Sequence, residues 1–248
     1  MKQLFSISSN AKGVKGEAIG YLTGILYLAP ADLSGYQVCP MALIAGCKAP
    51  CLNTAGLGGV YTSIQRSRIA KTRRFFEDRA GFMADVVYSI RKLIKAARKR
   101  PVRNKGRFPG RYYIPLVRLN GTSDIRWESI PVTIDGVTYP NLMAAFSDVQ
   151  FYDYTKLANR RNLPSNYDQT FSYSGVPAYQ KFVQKALDQN MRIAAVFRFE
   201  RDIPKRFLGR KVIAGDASDV RSIEPRRALV ALYAKGKAVK DTSGFVVG

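Results

Sequence analysis

Apolar and polar positions along the chain follow two periods in succession. Residues 18–30, AIGYLTGILYLAP, form an apolar and aromatic run bounded by Gly and Pro, which predicts a buried strand or hairpin. A polar stretch with Gly, Pro and Cys follows at 31–59. The helical period then takes over. One helix is expected over about 61–77 and a second over about 81–100, where Phe82, Val86, Ile90, Leu93 and Ala97 share one face. Arg91, Lys92, Lys95, Arg98 and Lys99 share the other, and Pro101 stops the helix. Short apolar runs at 112–119, 149–154, 167–173, 192–199, 212–213 and 229–233 read as strands, with a helix at about 177–189.

This pattern predicts one α/β domain over 1–248, with a Cys-bearing loop at 31–59 and a basic helix–loop segment at 61–111. Several strands end in polar clusters, such as Asn120-Gly121-Thr122-Ser123-Asp124. Polar strand ends of this kind mark the active face of α/β barrels. A full eightfold barrel uses about 250 residues, and part of this chain is spent on a long loop. A partial TIM-like barrel of five or six strands, or a mixed and mostly parallel sheet with flanking helices, fits better.

Charge changes the picture most. The chain has 40 Lys and Arg against 18 Asp and Glu, a net charge of +22. Such a surplus repels itself and calls for an anionic partner, most commonly nucleic acid. Between Val86 and Ser123 there is no acidic residue. Arg91, Lys95, Arg98, Lys99, Arg103, Lys105, Arg107 and Arg111 lie there, interleaved with Phe108, Tyr112 and Tyr113. Cations with stacking surface suit single strands or splayed bases. Arg66, Arg68, Lys71, Arg73 and Arg74 on the preceding helix extend the surface if the two helices pack together.

The chain has no histidine. This removes Ser-His-Asp and Cys-His nucleophile systems in their usual form and every zinc site with a His ligand. No stretch has the apolar length of a membrane span and no secretory signal is visible at the start, so a reducing cytoplasm is expected. All three cysteines fall within thirteen residues, spaced C-x7-C-x3-C at Cys39, Cys47 and Cys51, with Pro40, Gly46 and Pro50 among them. Three thiolates make a poor closed zinc site but suit a 4Fe-4S cluster with one open iron. Lys48 beside them is expected to lower their pKa. Buried structural cysteines and a reactive thiol are the alternatives.

Two resemblances follow. Tyr27-Leu28-Ala29-Pro30, Cys39-Pro40, Cys47, Cys51-Leu52 and Ala55-Gly56 resemble bacteriophage proteins of the gene-product-88-like family. So do 118–125 (RLNGTSDI), 151–156 (FYDYTK), and Gly215-Asp216 with Asp219 and Arg221. This likeness spans about 22–245; it implies a phage or prophage origin and carries over no activity. More loosely, the chain resembles the radical S-adenosylmethionine superfamily, in which a three-cysteine loop follows the first strand of a partial barrel. That family usually spaces its cysteines C-x3-C-x2-C, with an aromatic residue where Pro50 stands here. The resemblance implies Cys39, Cys47 and Cys51 as cluster ligands. It implies Asn120, Gly121 and Ser123 as contacts to S-adenosylmethionine.

Asp124, Asp153 and Lys156 are the remaining candidates for chemistry. Strand alternation puts Phe151 and Asp153 on one face, and a buried carboxylate there needs a proton or a cation such as Lys156 or Arg118. Asp216 and Asp219 read as turn residues. Three functions are expected in turn: an iron–sulfur enzyme acting on nucleic acid or a nucleotide-like substrate, a non-catalytic nucleic-acid-binding protein with a structural metal, or an Asp-dependent base-exchange or glycosylase-like enzyme.

Overall fold

The computed structural model of the protein describes residues 2–7, 11–102 and 112–248. In chain order the elements are β1 (Phe5–Ile7), α1 (Ala11–Glu17), β2 (Tyr21–Leu26), α2 (Gly56–Val60), α3 (Thr62–Glu77), α4 (Arg79–Lys99), β3 (Ile114–Arg118), β4 (Val132–Ile134), β5 (Val137–Tyr139), α5 (Leu142–Ala145), β6 (Gln150–Thr155), β7 (Tyr167–Ser172), α6 (Gln180–Asp188), β8 (Arg192–Phe197), β9 (Arg206–Phe207), β10 (Arg210–Ala214) and β11 (Leu229–Tyr233). Nine strands form one sheet in the order β1-β2-β3-β6-β7-β8-β11-β10-β9, and β4 and β5 make a separate hairpin. Six strands, β2, β3, β6, β7, β8 and β11, lie side by side in chain order and run parallel. β10 joins β11 in parallel, and β1 and β9 add antiparallel edges.

The expected mostly parallel α/β sheet is therefore present. Its sequential strand order is that of a partial barrel, but β1 and β9 end the order at opposite edges and no closed barrel forms among the described residues.

Helix α4 shows why the sheet folds this way. Asp78 caps it by accepting from the Gly81 N–H, which satisfies one of the first-turn donors. Phe82, Val86, Ile90, Leu93 and Ala97 are all fully buried, as their spacing requires, and join Leu22, Val117 and Phe151 of the sheet in one core. Each large side chain contributes about 1.5–3 kcal/mol by leaving water. Gly24 allows the close approach: a Cβ there would meet the Phe5 ring at 2.6 Å and Leu93 at 3.0 Å. A second core joins α6, through Val183 and Ala186, to Phe171, Ile193 and Leu229.

Helices α4 and α6 thus cover one face of the sheet. Alternation sends Ile25, Arg118, Tyr154, Val196 and Leu232 to the other, where they line a cavity. Toward the N-terminal ends of the strands that face is filled by Leu116 and Tyr152 packed on Val220. Among the described residues no helix is long and apolar enough to cross a membrane.

Candidate active site

The cavity has a volume of about 950 Å³ and opens at the C-terminal ends of the parallel strands, the end at which α/β sheets bind ligands. Its walls include all three cysteines, the 120–124 loop after β3, Lys156 after β6, and Asp216 and Asp219 after β10. Residues far apart in the chain meet here because each follows a strand of the same sheet.

The 120–124 loop is fixed by Asn120. Its amide oxygen accepts from the Ser123 hydroxyl (2.8 Å), the Ile125 N–H (3.0 Å) and the Trp127 indole (3.1 Å). Its amide nitrogen donates to the Ile125 carbonyl. Asn120 and Ser123 therefore spend their side chains within the loop, although both line the cavity with Gly121. Gly121 is obligatory for the packing: a Cβ there would meet the Leu26 carbonyl at 2.6 Å and the Tyr27 ring at 2.7 Å. Thr122 closes the arrangement by donating to the Leu28 carbonyl at 2.5 Å.

The cysteine loop docks on this frame. The Asp124 N–H donates to the Val38 carbonyl (2.8 Å), and the Cys39 thiol lies 3.7 Å from the Thr122 carbonyl. Ser174 donates to the Ala45 carbonyl and Ser243 to that of Gly46, tying the loop to the end of β7 and to the C-terminal segment. All three thiols are free. Burial pushes the Cys39 thiol up to about 12 and raises those of Cys47 and Cys51. Their charges also act on one another: Cys51 and Cys47 raise Cys39, and Cys47 raises Cys51. The Lys48 expectation fails, because its ammonium pairs with Asp32 at 2.8 Å on the surface. The cations that favour the thiolates are Lys156 for Cys47 and Arg68 for Cys51. Among the described residues no three Cys, Asp or Glu side chains stand around a single point as a mononuclear metal site requires. The three thiols share the lining of one cavity without converging on one point.

Asp124 and Asp153 have different places. Asp124 lines the cavity, but its carboxylate is occupied: it accepts from the Thr155 hydroxyl (2.8 Å), the Lys156 N–H (2.7 Å) and Arg160 (3.2 Å). Burial still raises its pKa. Asp153 shares the helix-covered face with Phe151 and stands outside the cavity wall. It accepts from the Asn120 N–H (2.7 Å) and the Tyr167 hydroxyl (2.8 Å), and burial pushes it up to about 7. Of the proton or cation expected for it, the raised pKa answers to the proton, and neither named cation pairs with it directly. Arg118 pairs with Asp219 at 2.7 Å, and the Lys156 ammonium donates to the Ser172 and Tyr173 carbonyls at 3.0 and 2.9 Å. Asp153 thus holds the Asn120 backbone from behind the cavity wall.

Burial lowers Lys156 to about 8. Asp216 and Asp219 are more than turn residues. Asp219 is a buried hub that accepts from Arg118, Tyr152 and Tyr154. Asp216 accepts from the Tyr233 N–H and pairs with Lys235 at 2.7 Å. Sequence reasoning did not find Lys235, and no local spacing signals it.

The basic segment divides. Arg91, Lys95, Arg98 and Lys99 form an exposed face of α4, with Arg91 paired to Asp135 at 2.6 Å. Arg66 and Arg73 are exposed on α3, and Arg73 donates to the Ser34 carbonyl. Arg103, Lys105, Arg107 and Arg111 lie outside the described residues. Arg68 is buried and Lys71 half-buried, and both line the cavity. The signal was present: Arg68 is four residues from both Ile64 and Thr72, on the stripe that α3 buries.

The chain matches the family model described as Gene product 88 over residues 3–248. No curated protein matches it, and no solved structure does. The gene-product-88 resemblance carried by the cysteine loop, the 118–125 strand end and the Gly215-Asp216 turn thus extends over nearly the whole chain, and the protein belongs to the Gene product 88 family.

Proposed function

We propose that the protein is an iron–sulfur enzyme of the radical S-adenosylmethionine type that acts on nucleic acid or a nucleotide-like substrate. The observation that carries this reading is the position of Cys39, Cys47 and Cys51. They line one cavity, on a loop after the first parallel strand, at the C-terminal ends of strands in chain order. The donor set fits a cluster, since soft thiolates without histidine select such centres, and three of them leave one iron open. When bound, a reduced cluster of this kind supplies an electron to S-adenosylmethionine. The chain's own residues do the rest. Lys156 and Arg68 offset thiolate charge. Asp153 holds Asn120, and Asn120 holds the loop from Gly121 to Asp124 against the cysteine loop.

The outer face of α4 supports a nucleic-acid partner, because its cations are exposed and no acid lies on the helix beyond Asp85. The carboxylate-based alternative is weaker. Asp124 accepts three hydrogen bonds and Asp153 faces away from the cavity.

The test is separate replacement of Cys39, Cys47 and Cys51 by Ala under anaerobic conditions. Each variant should lose bound iron yet keep the unfolding midpoint of the iron-free wild type. Variants that retain iron would contradict the assignment. Variants that do not fold at all would favour a structural metal.

A further inference from the structure

We infer that the α3 wall of the cavity binds a phosphate group of the substrate through Arg68, Lys71, Ser63 and Ser67. Ser63, Ser67 and Lys71 lie at i, i+4 and i+8 on α3, with Arg68 beside them, and all four line the cavity. This places two cations and two hydroxyl donors on one stripe of one helix. Their chemistry is that of a tetrahedral oxyanion, which offers several acceptor oxygens and a double charge.

The cavity's charges single out this wall. Five cations and three carboxylates line it. Asp219 is matched by Arg118 and Asp216 by Lys235. Asp124 takes Arg160 from behind the wall. The Lys156 ammonium is held by two carbonyls. Lys71 is left over, and Arg68 beside it faces no carboxylate among the described residues, only the Cys51 thiol.

Arg68 is only 9% exposed, and its Nε has no hydrogen-bond partner among the described residues. It is held in place by the Asn53 side chain, which accepts from Nη1, and by the Tyr27 ring, 4.9 Å away. Gly58 leaves it room: a Cβ there would meet the guanidinium at 2.8 Å. Lys71 makes no ion pair among the described residues, and burial with the nearby Arg68 charge lowers it to about 8. The first turn of α3 has no capping side chain and no acid that would repel an anion. An arginine held so closely, with a second cation one turn on, presents a fixed positive charge to an anion in the cavity.

The inference specifies the substrate of the cavity described above and rests on that reading for its setting. It requires no cluster, so its test separates the two. Binding of inorganic phosphate to the full chain is measured by calorimetry, before and after iron reconstitution, against chloride at matched ionic strength. AMP and a short single-stranded oligonucleotide then compete with phosphate. Competition by AMP identifies a free nucleotide as the source, and competition by the oligonucleotide alone identifies a strand. Lys71→Gln should weaken phosphate binding at least about tenfold, Lys71→Arg should restore it, and exposed Lys205→Gln should leave it unchanged. Circular dichroism checks that the variants are folded. The inference is overturned if phosphate binds no more tightly than chloride, or if Lys71→Gln binds as the wild type does.

Discussion

Single side chains in this protein carry charge into places where water is absent. Asp153 has a pKa pushed up to about 7 by burial, against the pull of two hydrogen bonds and of Arg118 and Arg160. The unfolded chain releases that proton near pH 4. The native state holds more protons between these values, so this group's contribution to stability falls as pH rises from about 4 to about 7, by up to about 1.4 kcal/mol per pH unit. Asp153→Asn removes that dependence. Urea unfolding at pH 5 and pH 8 should therefore show the variant gaining on the wild type at the higher pH; a difference that does not change with pH would refute the assignment. Arg118 and Asp219 form the opposite case, a buried pair at 2.7 Å with tyrosine hydroxyls on the carboxylate. Asp219→Ala leaves a buried guanidinium unmatched and should cost about 3–5 kcal/mol, measured by chemical denaturation. A loss below about 1 kcal/mol would mean that the pair contributes little.

Elements divide between core and surface, and α4 serves both. Its buried face fixes the sheet, and Leu93→Ala should cost about 2–5 kcal/mol by opening a cavity in that core. Its outer face is independent of the fold. Replacing Lys95, Arg98 and Lys99 together by Gln should leave the unfolding midpoint nearly unchanged. It should lower the slope of log affinity against log salt for single-stranded DNA by about 2. An unchanged slope would move the nucleic-acid surface elsewhere.

The same helix was legible in the sequence because its apolar face repeats from Phe82 to Ala97, over about four turns, and the parallel strands were legible as apolar runs. Strands β1, β4, β5 and β9 are two or three residues long. Their pairing is decided by neighbours distant in sequence, so no local pattern announces them. Whether a row of parallel strands closes into a barrel is also set by the edges, which the residues within each strand do not encode. In the site, cysteine clustering and the Asn120–Asp124 strand end were readable as local motifs. Alternation put Asp153 on the face of Phe151, where it lies, but could not say that helices rather than the cavity cover that face. The pairings of Lys235 with Asp216 and of Arg118 with Asp219 join segments 19 and 101 residues apart, beyond any spacing rule.

At the scale of the whole molecule, a chain of net charge +22 gathers three thiols, five cations and three carboxylates in one cavity. Cations on α4 face outward, and those on α3 divide between the surface and the cavity. The three thiols stand at the ends of sequential parallel strands, on a loop fastened to the 120–124 frame, to β7 and to the C-terminal segment. The central claim is that this loop holds an iron–sulfur cluster. It is tested most directly by anaerobic purification and reconstitution, followed by a visible absorption spectrum and iron and sulfide analysis. A brown protein with about four irons and matching sulfide per chain is the expected result. A colourless protein that takes up no iron would contradict it.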